Sequence, residues 1–162
     1  MQIKEKFLEK FEFNRIKECI EDDDFNWFYR NSIVEENDPP YFTHCFFNDN
    51  ETKSPHLPVL EPLLRKLNVA SLIQIRANLN LKEDKPTNIG WHIDYPYTHA
   101  KTAIYYLTTC NGPTILDKDK YIEVEAKENR CLIFDTMTFH RTILQTDIKR
   151  RMVININYFE KV

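Results

Sequence analysis

His92-Ile93-Asp94 sets an imidazole and a carboxylate two residues apart, a spacing that turns both side chains to one face of an extended strand. A second histidine, His140, opens a later run of strand-forming residues. Two imidazoles and one carboxylate aimed at a common point make a facial ligand set that leaves three metal positions open. That set suits Fe(II) which must take a cosubstrate and oxygen together. Alone, H-x-D is a weak signal, because a solvated polar pair carries the same letters. A strand-end histidine also usually finds an ordinary hydrogen-bond partner. The weight comes from the surrounding residues.

Arg150 and Arg151 open the stretch RRMVININYF, which begins cationic and continues apolar. An arginine facing the interior of such a strand must find an anion. Alternation lets only one of the two face inward, and the expected one is Arg151, sharing a face with Val153, Asn155 and Asn157. Guanidinium grips a carboxylate with two parallel hydrogen bonds, so the free carboxylate of a dicarboxylic oxoacid is a fitting partner.

Composition narrows the field. The chain has 162 residues and only two glycines, Gly90 and Gly112, so no glycine-rich phosphate loop can be built. The net charge is −3 and the densest basic cluster is Ile148 to Arg151, which gives no support for a nucleic-acid partner. Four scattered cysteines, Cys19, Cys45, Cys110 and Cys131, form no CxxC pair and read as reduced, mostly as small apolar core residues. The opening MQIKEKFLEKFEF interleaves charge with apolar residues and reads as neither signal peptide nor membrane span, so a cytoplasmic location is expected. Nothing in the sequence sets an oligomeric state.

The elements that must hold these residues follow from periodicity. Ile3, Phe7, Leu8 and Phe11 fall at helical spacing, and a second helical stretch from Asn14 puts Ile16 and Ile20 on one face. Glu21 to Asp24 reads as a solvated turn, with Asp24 capping a short helix that carries Trp27 and Phe28. Tyr41 to Phe47 reads as an aromatic strand, Asn48 to Pro58 as a loop, and Val59 to Leu67 as a helix with Pro62 in its first turn. After Asn68 the pattern changes to short strands: 69–81, 90–94, 102–109, 114–116, 121–124, 130–135, 140–145 and 151–159. Asn111-Gly112-Pro113 and 117–120 are the turns between them. Helices followed by many short strands predict a mainly β, α+β chain, a β-sandwich or jelly roll backed by N-terminal helices. One domain is expected over 1–162, with 1–68 as helical and aromatic support and 69–162 as the core.

The ordered series H-x-D, TAIYYL (Thr102 to Leu107), NRCLIF (Asn129 to Phe134), His140 and RMVININYF resembles the prolyl 4-hydroxylase-like 2-oxoglutarate/Fe(II) dioxygenases, most of all the small phage and bacterial members. The resemblance covers Val69 to Phe159. It implies a double-stranded β-helix of the cupin-like kind, with His92, Asp94 and His140 as iron ligands. It implies further that Arg151 and Tyr106 bind the distal carboxylate of 2-oxoglutarate, that Thr102 lines the pocket and that Asn78 contacts the cosubstrate. The implied chemistry is hydroxylation of a substrate C–H bond by O2, with release of succinate and CO2. Asp94 fills the position a halide would need, so hydroxylation is expected over halogenation. Substrate classes rank as protein side chain (proline first), free amino acid, then nucleobase. Two positions depart from or divide the family: collagen-type members carry lysine where Arg151 stands, and a tryptophan common to both main types is Asn157 here. The second makes the pocket smaller and more polar, and weighs against a prolyl peptide. Tyr95 to Lys101, with His99, is expected at the pocket mouth, opposite the aromatic strand around Tyr41. A phage member would work in the cytoplasm of its bacterial host. Two rival readings use the same ligands: a cupin-like metal-binding module without turnover, and a zinc hydrolase, which would need a general base beside the metal.

Overall fold

The computed structural model describes residues 1–161. In chain order the elements are β1 (Gln2–Lys4), α1 (Lys10–Glu21), β2 (Phe28–Arg30), β3 (Tyr41–Asn48), β4 (Glu51–Thr52), a 3-10 turn (Leu57–Leu60) and α2 (Glu61–Lys66). They continue with β5 (Val69–Leu81), β6 (Thr87–Asn88), β7 (Ala100–Tyr106), β8 (Cys110–Leu116), β9 (Ile122–Ala126), β10 (Cys131–Asp135), β11 (His140–Leu144) and β12 (Arg150–Glu160). From β5 onward the chain shuttles between two antiparallel sheets. The larger is ordered β1-β10-β7-β12-β5-β3-β2 with β4 on β3, and the smaller β6-β11-β8-β9. This interleaving is a double-stranded β-helix, the form of jelly roll that the family resemblance implied.

β12 lies at the centre of the large sheet, between β5 and β7, and is buried on both faces. Its alternation sorts the two cores. Met152, Ile154, Ile156 and Tyr158 pack with Phe13, Ile16 and Ile20 of α1 and with Leu60 and Leu63. Val153 points the other way, between the sheets, with Ile104, Tyr106, Leu116, Val124 and Phe134. The residues in step with Val153 are Arg151, Asn155 and Asn157. Three polar side chains thus enter the space between the sheets from one strand.

Several local expectations gave way to tertiary contacts. No helix spans Ile3 to Phe11: Ile3 pairs with Leu132 of β10, and Lys6 turns the chain at φ 46°. Asn129 then ties the next two residues, its carbonyl accepting from Phe7 N and its side chain from Leu8 N. Helix α1 begins only at the capping box of Glu9 and Glu12. The helix expected after Asp24 is absent too, because Phe28 to Arg30 pairs with β3 as an edge strand. The support formed by 1–68 therefore adds strands as well as helices. Gly90 to Asp94 forms no regular strand, and only His92 pairs, in a single bridge with His140. Asn111-Gly112-Pro113 lies within β8, where a register shift between Cys110 and Thr114 takes up the irregularity. The four cysteines form no disulfide. No helix among the described residues is long and apolar enough to cross a membrane.

Candidate metal centre and its cavity

The bridge that replaces the expected strand fixes the two histidines side by side. His92 N donates to His140 O at 3.1 Å and His140 N to His92 O at 2.9 Å. Each ring then uses its Nδ1 on the backbone, His92 on Gly90 O at 3.2 Å and His140 on Thr138 O at 3.1 Å. A carbonyl can only accept, so both Nδ1 atoms carry a proton and each ring turns its Nε2 towards Asp94. Asp94 Oδ1 lies 3.7 Å from Nε2 of His92 and 3.6 Å from that of His140. All three ligand atoms fall within 4.8 Å of one another.

The other carboxylate oxygen, Asp94 Oδ2, is held by three donors: Asn157 Nδ2 at 2.7 Å, Thr102 Oγ at 2.9 Å and Asn155 Nδ2 at 3.3 Å. Burial alone would raise the Asp94 carboxyl, but His140, the Asn157 amide, His92 and Thr102 together hold it below the ordinary carboxylate range. Burial likewise draws His140 below the usual histidine value, against the pull of Asp94. An ionised carboxylate and a neutral imidazole are the protonation states a divalent metal needs. Thr102 therefore acts by holding Asp94 rather than by lining the pocket. Asn157, which the sequence marks only as a gap where a tryptophan is usual, is the strongest holder of this ligand. Asn157→Leu is expected to weaken Fe(II) binding by about 10–100-fold, as loss of a ligand's hydrogen-bond partner does elsewhere. An anaerobic metal titration of the variant against the parent checks this.

A cavity of about 270 Å³ opens beside the triad. At one end stands Arg151, 2 % exposed. Its Nε donates to Gly112 O at 3.0 Å and an Nη to Thr114 Oγ at 3.2 Å. No acid pairs with it among the described residues. Arg150, by contrast, is exposed and pairs with Glu21 at 2.8 Å, as alternation requires. Tyr106 is fully buried beneath the Arg151 guanidinium, 5.6 Å from ring centre to charge, and its hydroxyl donates to the same Thr114 oxygen at 2.8 Å. Burial pushes its hydroxyl above the usual tyrosine value, so it stays a donor. Tyr106 does not line the cavity, and its contact is with the groups that aim Arg151. Asn78 does line it, with Oδ1 accepting from Thr43 Oγ at 3.1 Å.

Gly112 explains why a turn-like tripeptide sits inside a strand. A Cβ there would meet the Ile143 carbonyl at 2.8 Å and Gln145 N at 2.9 Å, both backbone. Gly112→Ala is expected to destabilise the protein by about 1–3 kcal/mol, as overpacking against fixed atoms does. Because the Gly112 carbonyl receives Arg151 Nε, a lowered melting temperature should come with weakened anion binding at Arg151.

The cavity lining draws only in part on the segments singled out in the sequence. Tyr95 and Tyr97 stack at 5.6 Å, but no residue from Tyr95 to Lys101 lines the cavity. Tyr41 does, together with Ile33 and Val34 from the connection between β2 and β3. Asp38 Oδ2 shapes that connection by accepting from Val34 N and Glu35 N, both at 2.9 Å. Nothing in the residue types of 31–40 marks it as a site segment.

No protein-family model matches the sequence, and no curated protein does. Solved structures do resemble the fold. A 2OG-Fe(II) oxygenase family oxidoreductase from Burkholderia pseudomallei superposes with a TM-score of 0.74 at 11% identity, over 95% of this chain and 82% of that one. A prolyl hydroxylase from Trichoplax adhaerens, solved with a hypoxia inducible factor peptide, gives 0.67 at 16%, over 98% and 83%. The alpha-ketoglutarate-dependent epimerase SnoN from nogalamycin biosynthesis gives 0.67 at 13%, over 98% and 76%. At these identities the likeness is one of fold.

Proposed function

We propose that this chain is a non-haem Fe(II) dioxygenase dependent on 2-oxoglutarate, which hydroxylates a substrate C–H bond and releases succinate and CO2. The observation that carries the reading is a pair inside one cavity: a converged His-Asp-His set, and a buried guanidinium without a counter-ion. The donor set fits Fe(II), being two imidazole nitrogens and one carboxylate oxygen on one side. The arginine fits the far carboxylate of 2-oxoglutarate, since an unpaired buried charge is costly until an anion arrives. When bound, iron and 2-oxoglutarate supply the activation of O2 and the oxidative decarboxylation that drives hydroxylation.

This chain's own residues supply position. His92, Asp94 and His140 hold the metal from one side. Arg151, aimed by Gly112 O, Thr114 and the Tyr106 ring, orients the dicarboxylate, and Asn78 offers it a cavity-facing amide. Ile33, Val34, Ile89, Ile104 and Val153 form apolar walls that exclude water from the rest. A zinc hydrolase is less well served. Among the described residues the only carboxylate lining the cavity is Asp94, and a metal ligand cannot also serve as the base.

The substrate is in the first place a protein side chain, as in the prolyl hydroxylases that share the fold. Free amino acids come next, and a nucleobase last. Unpaired thiols on all four cysteines agree with work in a reducing cytoplasm. The test is anaerobic incubation with Fe(II) and 2-oxoglutarate, followed by oxygen. A weak visible charge-transfer band and then 2-oxoglutarate-dependent succinate are expected. With iron bound, absence of both the band and any thermal stabilisation by 2-oxoglutarate would leave a metal-binding module without turnover as the better account.

A further inference from the structure

Arg151 is not the only cation in the cavity. Arg76 of β5 lines it too, and its side chain makes no hydrogen bond and no ion pair among the described residues. Its Nε is shut off from solvent without a partner. Directly across the ladder from Arg76 stands Asn155. The Asn155 amide nitrogen is committed to Asp94, which fixes the orientation of the group, and its Oδ1 is likewise buried without a partner. An unmatched buried donor and an unmatched buried acceptor thus stand on paired residues of neighbouring strands, in the cavity that holds the metal ligand, and such groups call for a ligand that satisfies both.

The two arginines are well separated. Arg151 pairs with Asn80 and Asn155 with Arg76, so the two stand four positions, about 13 Å of strand, apart along the ladder. A five-carbon diacid has a shorter backbone than two residues of extended chain, which is well under that spacing, so a role of Arg76 towards 2-oxoglutarate is a separate outcome that the binding test reads. Arg76 is moreover shared with a second, open cavity of about 550 Å³ lined by Arg30, Lys53 and Gln74 and by no carboxylate. Arg76 thus lines both the metal cavity and a neighbouring groove that carries Arg30 and Lys53.

We infer that Arg76 is a substrate-binding residue that takes a carboxylate of the substrate, while Asn155 Oδ1 accepts an N–H from the same molecule. The substrate class is therefore a compound bearing a carboxylate close to an amine or amide, either a free α-amino acid or an aspartyl or glutamyl peptide. The inference rests on the dioxygenase reading for its reaction, but not for its binding test.

That test uses the Fe(II)-loaded protein under anaerobic conditions, with and without 2-oxoglutarate. Probes are the L-amino acids, each beside its carboxamide, and N-acetylated peptides containing Asp or Glu beside the same peptides with Asn or Gln. Binding is read as thermal stabilisation and as perturbation of the visible band, and succinate is then measured in air. At least one acid is expected to bind tenfold or more tightly than its amide. Arg76→Met should abolish that preference, and Arg76→Lys, which keeps charge but loses the planar fork, should fall between. The free amino acids and the acidic peptides decide which source supplies the carboxylate. The inference fails if no acid in the panel binds, if acid and amide bind alike, or if Arg76→Met keeps the preference. A tenfold loss of 2-oxoglutarate affinity in Arg76→Met would put Arg76 on the cosubstrate and also overturn it. A missing band in the parent protein would count against the dioxygenase reading alone, because thermal stabilisation by acid over amide still reports on Arg76.

Discussion

His140→Ala is expected to lose Fe(II) binding by more than 100-fold and, with it, all 2-oxoglutarate-dependent succinate. Loss of a mere hydrogen-bond partner of a ligand costs about 10–100-fold in affinity, and loss of a ligand must exceed that. His140 is 3 % exposed and touches Phe134 at 4.9 Å between ring centres, so the variant also leaves a small void. The fold should survive it. The two bonds that join His92 to His140 run through backbone atoms, and β11 still pairs with β8 from Leu116. The expected penalty is the 1–3 kcal/mol ordinary for a buried truncation, visible as a modest drop in melting temperature. Anaerobic Fe(II) titration and a thermal melt of the same sample separate the two effects. A variant that melts normally and still binds iron with parental affinity would show that the third ligand is another group. The rival module without turnover predicts the same metal loss, but no succinate in the parent to lose.

The features legible in the sequence are those that strand alternation fixes locally. Arg151, Val153, Asn155 and Asn157 share a face because β12 is regular over that stretch, and the inward choice of Arg151 over Arg150 follows from the apolar residues in step with it. His92 and Asp94 were legible for a related but different reason. The segment is not a strand, and what brings the pair together with His140 is a two-bond bridge between distant parts of the chain. Illegible were the roles that depend on register between strands far apart in sequence. Asn157 meets Thr102, and both meet Asp94, only because β12 pairs with β7 in one particular offset. Arg76 meets Asn155 for the same reason on the other side. The N-terminus misled because Ile3 pairs with β10 while Phe7 and Leu8 are buried and tied to Asn129, partners that no short window contains.

Arg151→Met is the complementary variant, expected to keep the metal and lose the cosubstrate. Arg151 touches none of His92, Asp94 or His140; its bonds go to Gly112 O and Thr114. Fe(II) affinity should therefore change little. Removing one member of a buried, hydrogen-bonded charge pair costs about 2–5 kcal/mol, or roughly 30-fold to several-thousand-fold in 2-oxoglutarate affinity. Arg151→Lys keeps the charge without the two-pronged grip and should lie between. Stability gives the sharper signature. Without an anion, Arg151 is a desolvated cation lacking an acid partner, so its removal relieves that cost. Methionine leaves the Gly112 carbonyl with only the weak Cys110 thiol donor, a smaller opposing effect. The ligand-free variant is expected to melt no lower than the ligand-free parent. The parent should gain about 2.7 kcal/mol at 2-oxoglutarate a hundredfold above its Kd, and the variant almost nothing at the same concentration. Such a result separates a group kept for ligand binding from one kept for the fold. A variant that melts much lower yet retains the 2-oxoglutarate shift would show that Arg151 holds the two sheets together and that the cosubstrate is anchored elsewhere.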